Sequence, residues 1–419
     1  MGRSLIVDKR KLQFWIGAVL AIGLIALMQY WLAPRRPFSL DSQEKSVFFV
    51  FSSNDRGPGT FREAIFGADT TKQRAEIALR VDHIDLDSPL PPLVNPHGIV
   101  VDTALPVVKI DARSINQSPV LEIDAPDSAI AGLEISNAAA EGILIKSNGL
   151  RVSNSSFRDC KEGIHATAEV STLIVERTGF TNAHIGIWLA TPTAGIRIEN
   201  NHFLNSQDAA IWAVNSRQSP NLDFGPALIE NNHFESDRLS LVLANFPAVV
   251  EGNEFVKDRE TSITLIGGNP VIRRNRIRNG AGIGISADNT QDAVIQSNEI
   301  DHNRSLGVLV RSSSNALVDN NRVYSNGYGI ALVLGPQLAP NTASRNTVLS
   351  QRYDGITVIG ESPLVRSNTS RNNGSGLKIL DVVGLLTGRV VAEPFLDNNV
   401  LAQNVANESR GEYRAEKQQ

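Results

Sequence analysis

The sequence predicts an all-β solenoid carried behind one transmembrane helix. Two patterns point to the solenoid. An asparagine followed two residues later by an apolar residue returns at intervals in the twenties, and short alternating strands led by glycine lie between these asparagines. The third observation is Leu12–Leu32, LQFWIGAVLAIGLIALMQYWL, an uncharged apolar run long enough to cross a bilayer as a helix.

The N-terminus divides on charge. Arg3, Lys9, Arg10 and Lys11 precede the apolar run, and Arg35 and Arg36 follow it. The basic excess before the run places residues 1–11 in the cytoplasm as a short stub and 12–33 across the inner membrane as an uncleaved, single-pass signal anchor. No convincing small-x-small cleavage site stands before Pro34, and the run is long for a signal peptide. The remainder, after a linker over 34–46, is then periplasmic. A cleaved secretory signal is the alternative reading, and it exports the same domain.

Composition narrows the partners. The net charge is −4 with no basic stripe, which argues against nucleic acid. The single cysteine, Cys160, excludes an internal disulfide and a cysteine-based metal cluster, and it reads as a small core filler. No cofactor motif is present and no metal ligand set is assigned.

The repeat is read from Asn201-His202-Phe203, Asn232-His233-Phe234, Asn253-Glu254-Phe255, Asn275-Arg276-Ile277 and Asn298-Glu299-Ile300. It continues through Asn321-Arg322-Val323, Asn346-Thr347-Val348, Asn368-Thr369-Ser370 and Asn399-Val400-Leu401. Ser155-Ser156-Phe157 and Thr178-Gly179-Phe180 keep the spacing without the asparagine. One strand precedes each asparagine ("IRIENN", "ALIENN", "AVIQSN"), one holds the residues after it, and a third is led by glycine ("GIHAT" at Gly163, "GIWLA" at Gly186, "GVLVR" at Gly307). Three short strands per turn make a coil with three sheet faces, and each coil buries its apolar edge only by stacking on the next. Stacking brings equivalent residues about 4.8 Å apart. An inward asparagine amide at a bend can then satisfy backbone groups that lack a sheet partner and can bond the asparagines above and below. The leading glycine is expected to mark a tight bend with unusual φ.

This pattern, over about Val107–Asn404, resembles the right-handed parallel β-helix family, which includes pectate lyases, polygalacturonases, alginate epimerases and periplasmic carbohydrate-binding proteins. The handedness is implied by that resemblance. The stretch Gly57–Asp69, GPGTFREAIFGAD, reads as a helix with a Thr60–Glu63 capping box and an apolar side of Phe61, Ile65 and Phe66. It is similar to the Gly-Pro-Gly-Ser/Thr-Leu-Arg-Glu-Ala-Ile start of exported β-helix proteins, which implies a plug over the open N-terminal edge of the solenoid. Residues 47–106 are therefore assigned to the cap and a first irregular coil, 107–404 to the repeats, and 405–419 to a polar tail that frays. His97 in "NPHG" resembles the Asp-Pro-His-Asp motif of alginate epimerases but lacks both aspartates, so no catalytic role follows.

A solenoid has no central pocket, so a site must lie on an outer face. Two residues after each leading glycine, the outward column reads Leu144, His165, Trp188, Trp212, Val242, Thr264, Gly284, Leu309, Ala331, Thr357 and Lys378. Two tryptophans on adjacent coils beside a histidine suit the C–H faces of a pyranose, and the resemblance places a polysaccharide groove on this face. The insertion NSRQSPNLDFGP follows the Trp212 strand directly; it either borders a groove or covers the tryptophans.

Lys161, His184, Asp208, Arg238 and Glu260 form the neighbouring charged column, with Glu141 and Glu162 one residue nearer the strand. A lyase or epimerase acting on an acidic sugar needs a base and a cation, which His184 with Lys161 or Arg238 can supply. A hydrolase needs two carboxylates, for which Asp208 and Glu162 are the candidates. Solvated surface charge is the plainer reading of each, and neither set matches a signature of the resembling enzymes. His202 and His233, followed by Glu254, Arg276, Glu299 and Arg322, read either as a metal cluster or as a cross-strand charge ladder. The predicted substrate-binding residues are thus Trp188, Trp212, His165 and Lys161; the predicted catalytic residues are His184, Asp208, Glu162 and Arg238. The expected partner is a polysaccharide, bound or modified by a lyase, epimerase or hydrolase activity. A non-catalytic scaffold contacting proteins of a cell-envelope complex is the alternative.

Overall fold

The computed structural model describes residues 45–414, apart from 168–169, 171, 191–194, 216–224, 336–338 and 384–388. The predicted anchor over 12–33 lies outside the described residues. Among those described, no helix is long and apolar enough to cross a membrane.

The chain winds into three sheets whose strands pair in parallel, save for Arg389–Val390, which runs antiparallel to Ser375–Val383. Among the described residues sheet A holds 15 strands and sheets B and C hold 14 each, one strand per coil except that Arg389–Val390 adds a further strand to sheet C. Sheet A carries the strands that precede the repeat asparagines, such as Ile196–Glu199, sheet B those that follow, such as His202–Leu204, and sheet C the third, such as Ile185–Leu189. Equivalent residues of successive coils pair in register. Alternate side chains point inward, where Ile198, Phe203 and Ile187 are fully buried in one continuous apolar core. Within sheet B, Phe157, Phe180, Phe203, Phe234 and Phe255 stack ring on ring with centroids 4.6–5.2 Å apart.

The asparagine column is an internal ladder. From Asn201 to Asn368 each Nδ2 donates to Oδ1 of the next member at 3.0–3.1 Å. The same oxygen also accepts the backbone N–H of the preceding member, while Nδ2 reaches a strand carbonyl of the coil before. A second ladder runs five residues on, through Asn303, Asn326, Gln351, Asn373 and Asn404. Earlier coils fill this second column differently: Asp237 and Asp258, both buried, stand where asparagine stands later. Cys160 also lies in it, and burial raises its thiol pKa to about 11, which fits the inert core filler expected.

Glycine has another reason than the one expected. Gly163 and Gly186 do not adopt positive φ. A Cβ on Gly163 would lie 2.6 Å from the carbonyl oxygen of Gly186 and 2.7 Å from the Phe180 ring, so glycine here allows close approach of backbone to the next coil. Left-handed backbone is found instead at, among other places, the residues just before the ladder asparagines, such as Asn200, Asn231, Arg274, Ser297 and Asn320, with φ between 52° and 59°.

Helix α1, Phe61–Thr70, starts at Thr60, whose hydroxyl accepts the Glu63 N–H, while Glu63 returns a carboxylate to the Gly59 N–H at 2.5 Å. Its buried stripe is Phe61, Ala64, Ile65 and Ala68, an i, i+3, i+4, i+7 face; Phe66 falls off that face and is exposed. Parallel pairing in sheet A begins at Ser46–Val50, ahead of this helix. At the other end, Ala406–Arg414 pairs along Ser375–Val383 instead of fraying. A strand laid on the edge of the last coil needs only its backbone groups, so its polar composition hid it.

Candidate functional site

Strands Glu162–Ala166, Ile185–Leu189 and Ala209–Val214 of sheet C build the predicted outer face. Alternation turns Ile164, Ile187 and Ile211 into the core and leaves His165, Trp188 and Trp212 outward, partly exposed and in register. The His165 ring stacks on the Trp188 indole with centroids 4.5 Å apart and planes 5° from parallel. The column continues through Val242, Thr264, Ser286, Leu309, Ala331, Thr357 and Lys378. Ser286 takes the place expected for Gly284, because the strand there is Ile285–Asp288 and Gly284, not Gly282, leads it. The insertion after Trp212 lies largely outside the described residues.

The charged column forms at the edge of this face. His184 Nδ1 lies 3.3 Å from Asp208 Oδ2, Arg238 lies 3.6 Å from Asp208, and Arg238 bonds Glu260 at 2.9 Å. Lys161 is exposed one coil before His184. Three of the predicted catalytic residues are therefore together. The fourth, Glu162, is separate: it is only 5% exposed and faces His165, with the two atoms 2.9 Å apart, while Glu141 lies 3.5 Å from the same ring nitrogen. Burial opposes protonation of His165, but Glu162 and then Glu141 outweigh it and hold the imidazole pKa above its ordinary value. Asp208 and Glu162 thus belong to different clusters.

On sheet B, His233 Nδ1 bonds Glu254 at 3.1 Å and stacks on His202 with centroids 5.1 Å apart. Glu254, Arg276, Glu299 and Arg322 follow in register, and Arg278 bonds Glu254 at 2.6 Å. Cross-strand pairing accounts for this set, although His202, His233 and Glu235 are close enough to share an ion.

One aromatic pair escaped the sequence reading. Tyr328 and Tyr353, both exposed, stack with centroids 4.8 Å apart, and the Arg352 guanidinium lies 5.3 Å from the Tyr353 centroid. Tyr328 opens the sheet C strand five coils beyond Trp212, about 24 Å along the axis at the strand spacing. Its position one residue before a leading glycine is the signal that could have found it.

A family model described as the right handed beta helix region matches residues 113–225 and 223–374. The chain belongs to the right-handed β-helix family. No curated protein matches it significantly. Among solved structures, this β-helix chain is similar to a periplasmic alginate epimerase, with 11% identity, 78% of this chain and 76% of that chain covered, and a TM-score of 0.48. It is also similar to the A-module of an Azotobacter vinelandii mannuronan C-5 epimerase, with 10% identity, 87% and 98% covered, and a TM-score of 0.45. An α-1,3-glucanase catalytic domain in complex with nigerose shows 15% identity, 74% and 64% covered, and a TM-score of 0.47.

Proposed function

We propose that this β-helix domain binds a polysaccharide along the outer face of sheet C, held in the periplasm by an inner-membrane anchor at 12–33. The observation that carries the reading is the in-register pair Trp188 and Trp212 on adjacent coils, with His165 stacked beside them. Indole side chains in register along a solenoid present an apolar strip against which the C–H groups of successive sugar rings can pack. Tyr328 and Tyr353 extend the aromatic contacts along the same face. His184, Asp208 and Arg238 border the strip and offer hydrogen bonds and charge to hydroxyl and carboxylate groups.

Binding is the primary role in this reading. In an enzymatic form, a lyase or epimerase, His184 would be the base oriented by Asp208, and Arg238 would neutralise the sugar carboxylate. The ion pairs that Arg238 makes with Asp208 and Glu260 favour binding over turnover, since they leave its charge already engaged.

A glycan panel applied to the full chain in detergent tests the reading. Trp188→Ala and Trp212→Ala are expected to weaken binding by ~1 kcal/mol each, with the melting temperature retained. Unsaturated-uronate absorbance or new reducing ends would add catalysis. Unchanged affinity in the double variant removes the aromatic strip from the function and moves the reading to a protein-binding scaffold.

A further inference from the structure

Glu141, Glu162 and His165 converge from two adjacent coils, each offering one ligand atom within 4.8 Å of the others. Glu162 is 95% buried, as its 5% exposure states, and its Oε2 makes no hydrogen bond. Neither does His165 Nδ1, although the two atoms are 2.9 Å apart. A simple imidazolium–carboxylate pair at that distance would align the N–H with the oxygen. Here both atoms are withdrawn from solvent and face only each other as an ion pair without an aligned hydrogen bond, which is costly unless a third body satisfies them. Two carboxylates facing one ring nitrogen also leave negative charge that a single imidazolium neutralises only by half.

We propose that Glu141, Glu162 and His165 bind a divalent first-row transition ion such as Zn(II). One imidazole nitrogen and two carboxylate oxygens are a borderline donor set that suits zinc better than calcium. Ligand atoms about 2.0–2.2 Å from a tetrahedral zinc lie about 3.3–3.6 Å from each other. The 3.5 Å separation of His165 Nδ1 from Glu141 is already there, and the 2.9 Å separation from Glu162 needs only a small opening. Three protein ligands leave a fourth position for water or another ligand. The stacked indole fixes the ring plane of His165 as an outer partner should. His202, His233 and Glu235 are the competing cluster, but His233 Nδ1 is already hydrogen-bonded to Glu254. The site shares His165 with the aromatic strip, but its test uses no glycan, so the two readings can fail separately.

Zinc titration of the metal-stripped full chain in detergent, by competition with a chromophoric chelator, reads the site. One equivalent should bind, Glu162→Gln and His165→Gln should each weaken it at least about tenfold, and excess Ca(II) should not compete. The double variant His202→Gln/His233→Gln should keep full affinity. Should Glu162→Gln fail to fold, Glu141→Gln, which changes the more exposed ligand, must show the same loss. Absence of saturable zinc binding below about 1 mM, loss confined to the His202/His233 variant, or full affinity in Glu141→Gln would each overturn the proposal.

Discussion

Asn298 and Asn321 are joined twice across one coil step. The Asn298 Nδ2 donates to Asn321 Oδ1 at 3.0 Å, and the Asn298 backbone N–H donates to the same oxygen at 2.9 Å. Each ladder amide therefore does two jobs: it closes its own bend and it holds its neighbour. Asn298→Leu leaves the Asn275 amide and the Ile272 carbonyl without their partners. The expected loss is ~1–3 kcal/mol of unfolding free energy, read by urea denaturation. A loss below a few tenths would mean the ladder contributes little.

Gly163 tests the close-approach account. Its φ is ordinary, so a backbone argument alone would let alanine stabilise the strand. The Cβ would instead meet the Gly186 carbonyl and the Phe180 ring. Gly163→Ala should destabilise by ~1–3 kcal/mol in the same assay. Stabilisation would show that the coils separate freely there.

The buried pair Asp237 and Asp258 makes stability depend on pH. Burial pushes Asp237 up to about 7, and burial together with the Asp237 charge pushes Asp258 up to about 8. Below the ordinary carboxylate range both states carry these protons and the pair has no linkage effect. As pH rises, the unfolded chain gives up its protons first. Stability therefore falls until the folded carboxyls ionise near pH 7–8, and stays low above that. Melting temperature should decline from pH 5 to 8.5. Asp258→Asn, which restores the residue type found later in this column, should flatten the decline and stabilise at pH 8.5 by ~1–3 kcal/mol. An unchanged profile would place these protons elsewhere, with Glu361, itself raised to about 7 by burial, the next candidate.

The anchor is tested by fractionation. The full chain should stay with membranes after a carbonate wash, and a reporter fused at Gln419 should work only outside the cytoplasm. A shortened soluble chain would mean that Leu12–Leu32 is a cleaved signal.

The repeat was readable in the sequence because its cause is local and periodic. An amide at each bend and an alternating strand between bends recur at nearly fixed spacing, and so the register of Trp188 on Trp212, or of Asn298 on Asn321, follows from counting. The capping box at Thr60–Glu63 was readable for the same reason, since four residues hold all of it. Counting failed where chemistry changed without changing place. Asp237 and Asp258 occupy an asparagine column, and Ser286 stands two residues beyond the expected Gly284. It also failed for Ala406–Arg414, whose pairing is a backbone matter with no side-chain signature.

What the tertiary structure decided is which charged groups meet. The sequence determined that His184, Asp208, Glu162 and His165 lie in or just before the sheet C strands of successive coils, because the repeat spacing sets their place in the coil. It could not decide that Glu162 turns to His165 and Glu141 while Asp208 turns to His184 and Arg238. Those pairings depend on side-chain direction between neighbouring coils. Residues about 22 apart become neighbours only when the solenoid closes, and burial then fixes which rotamers they keep.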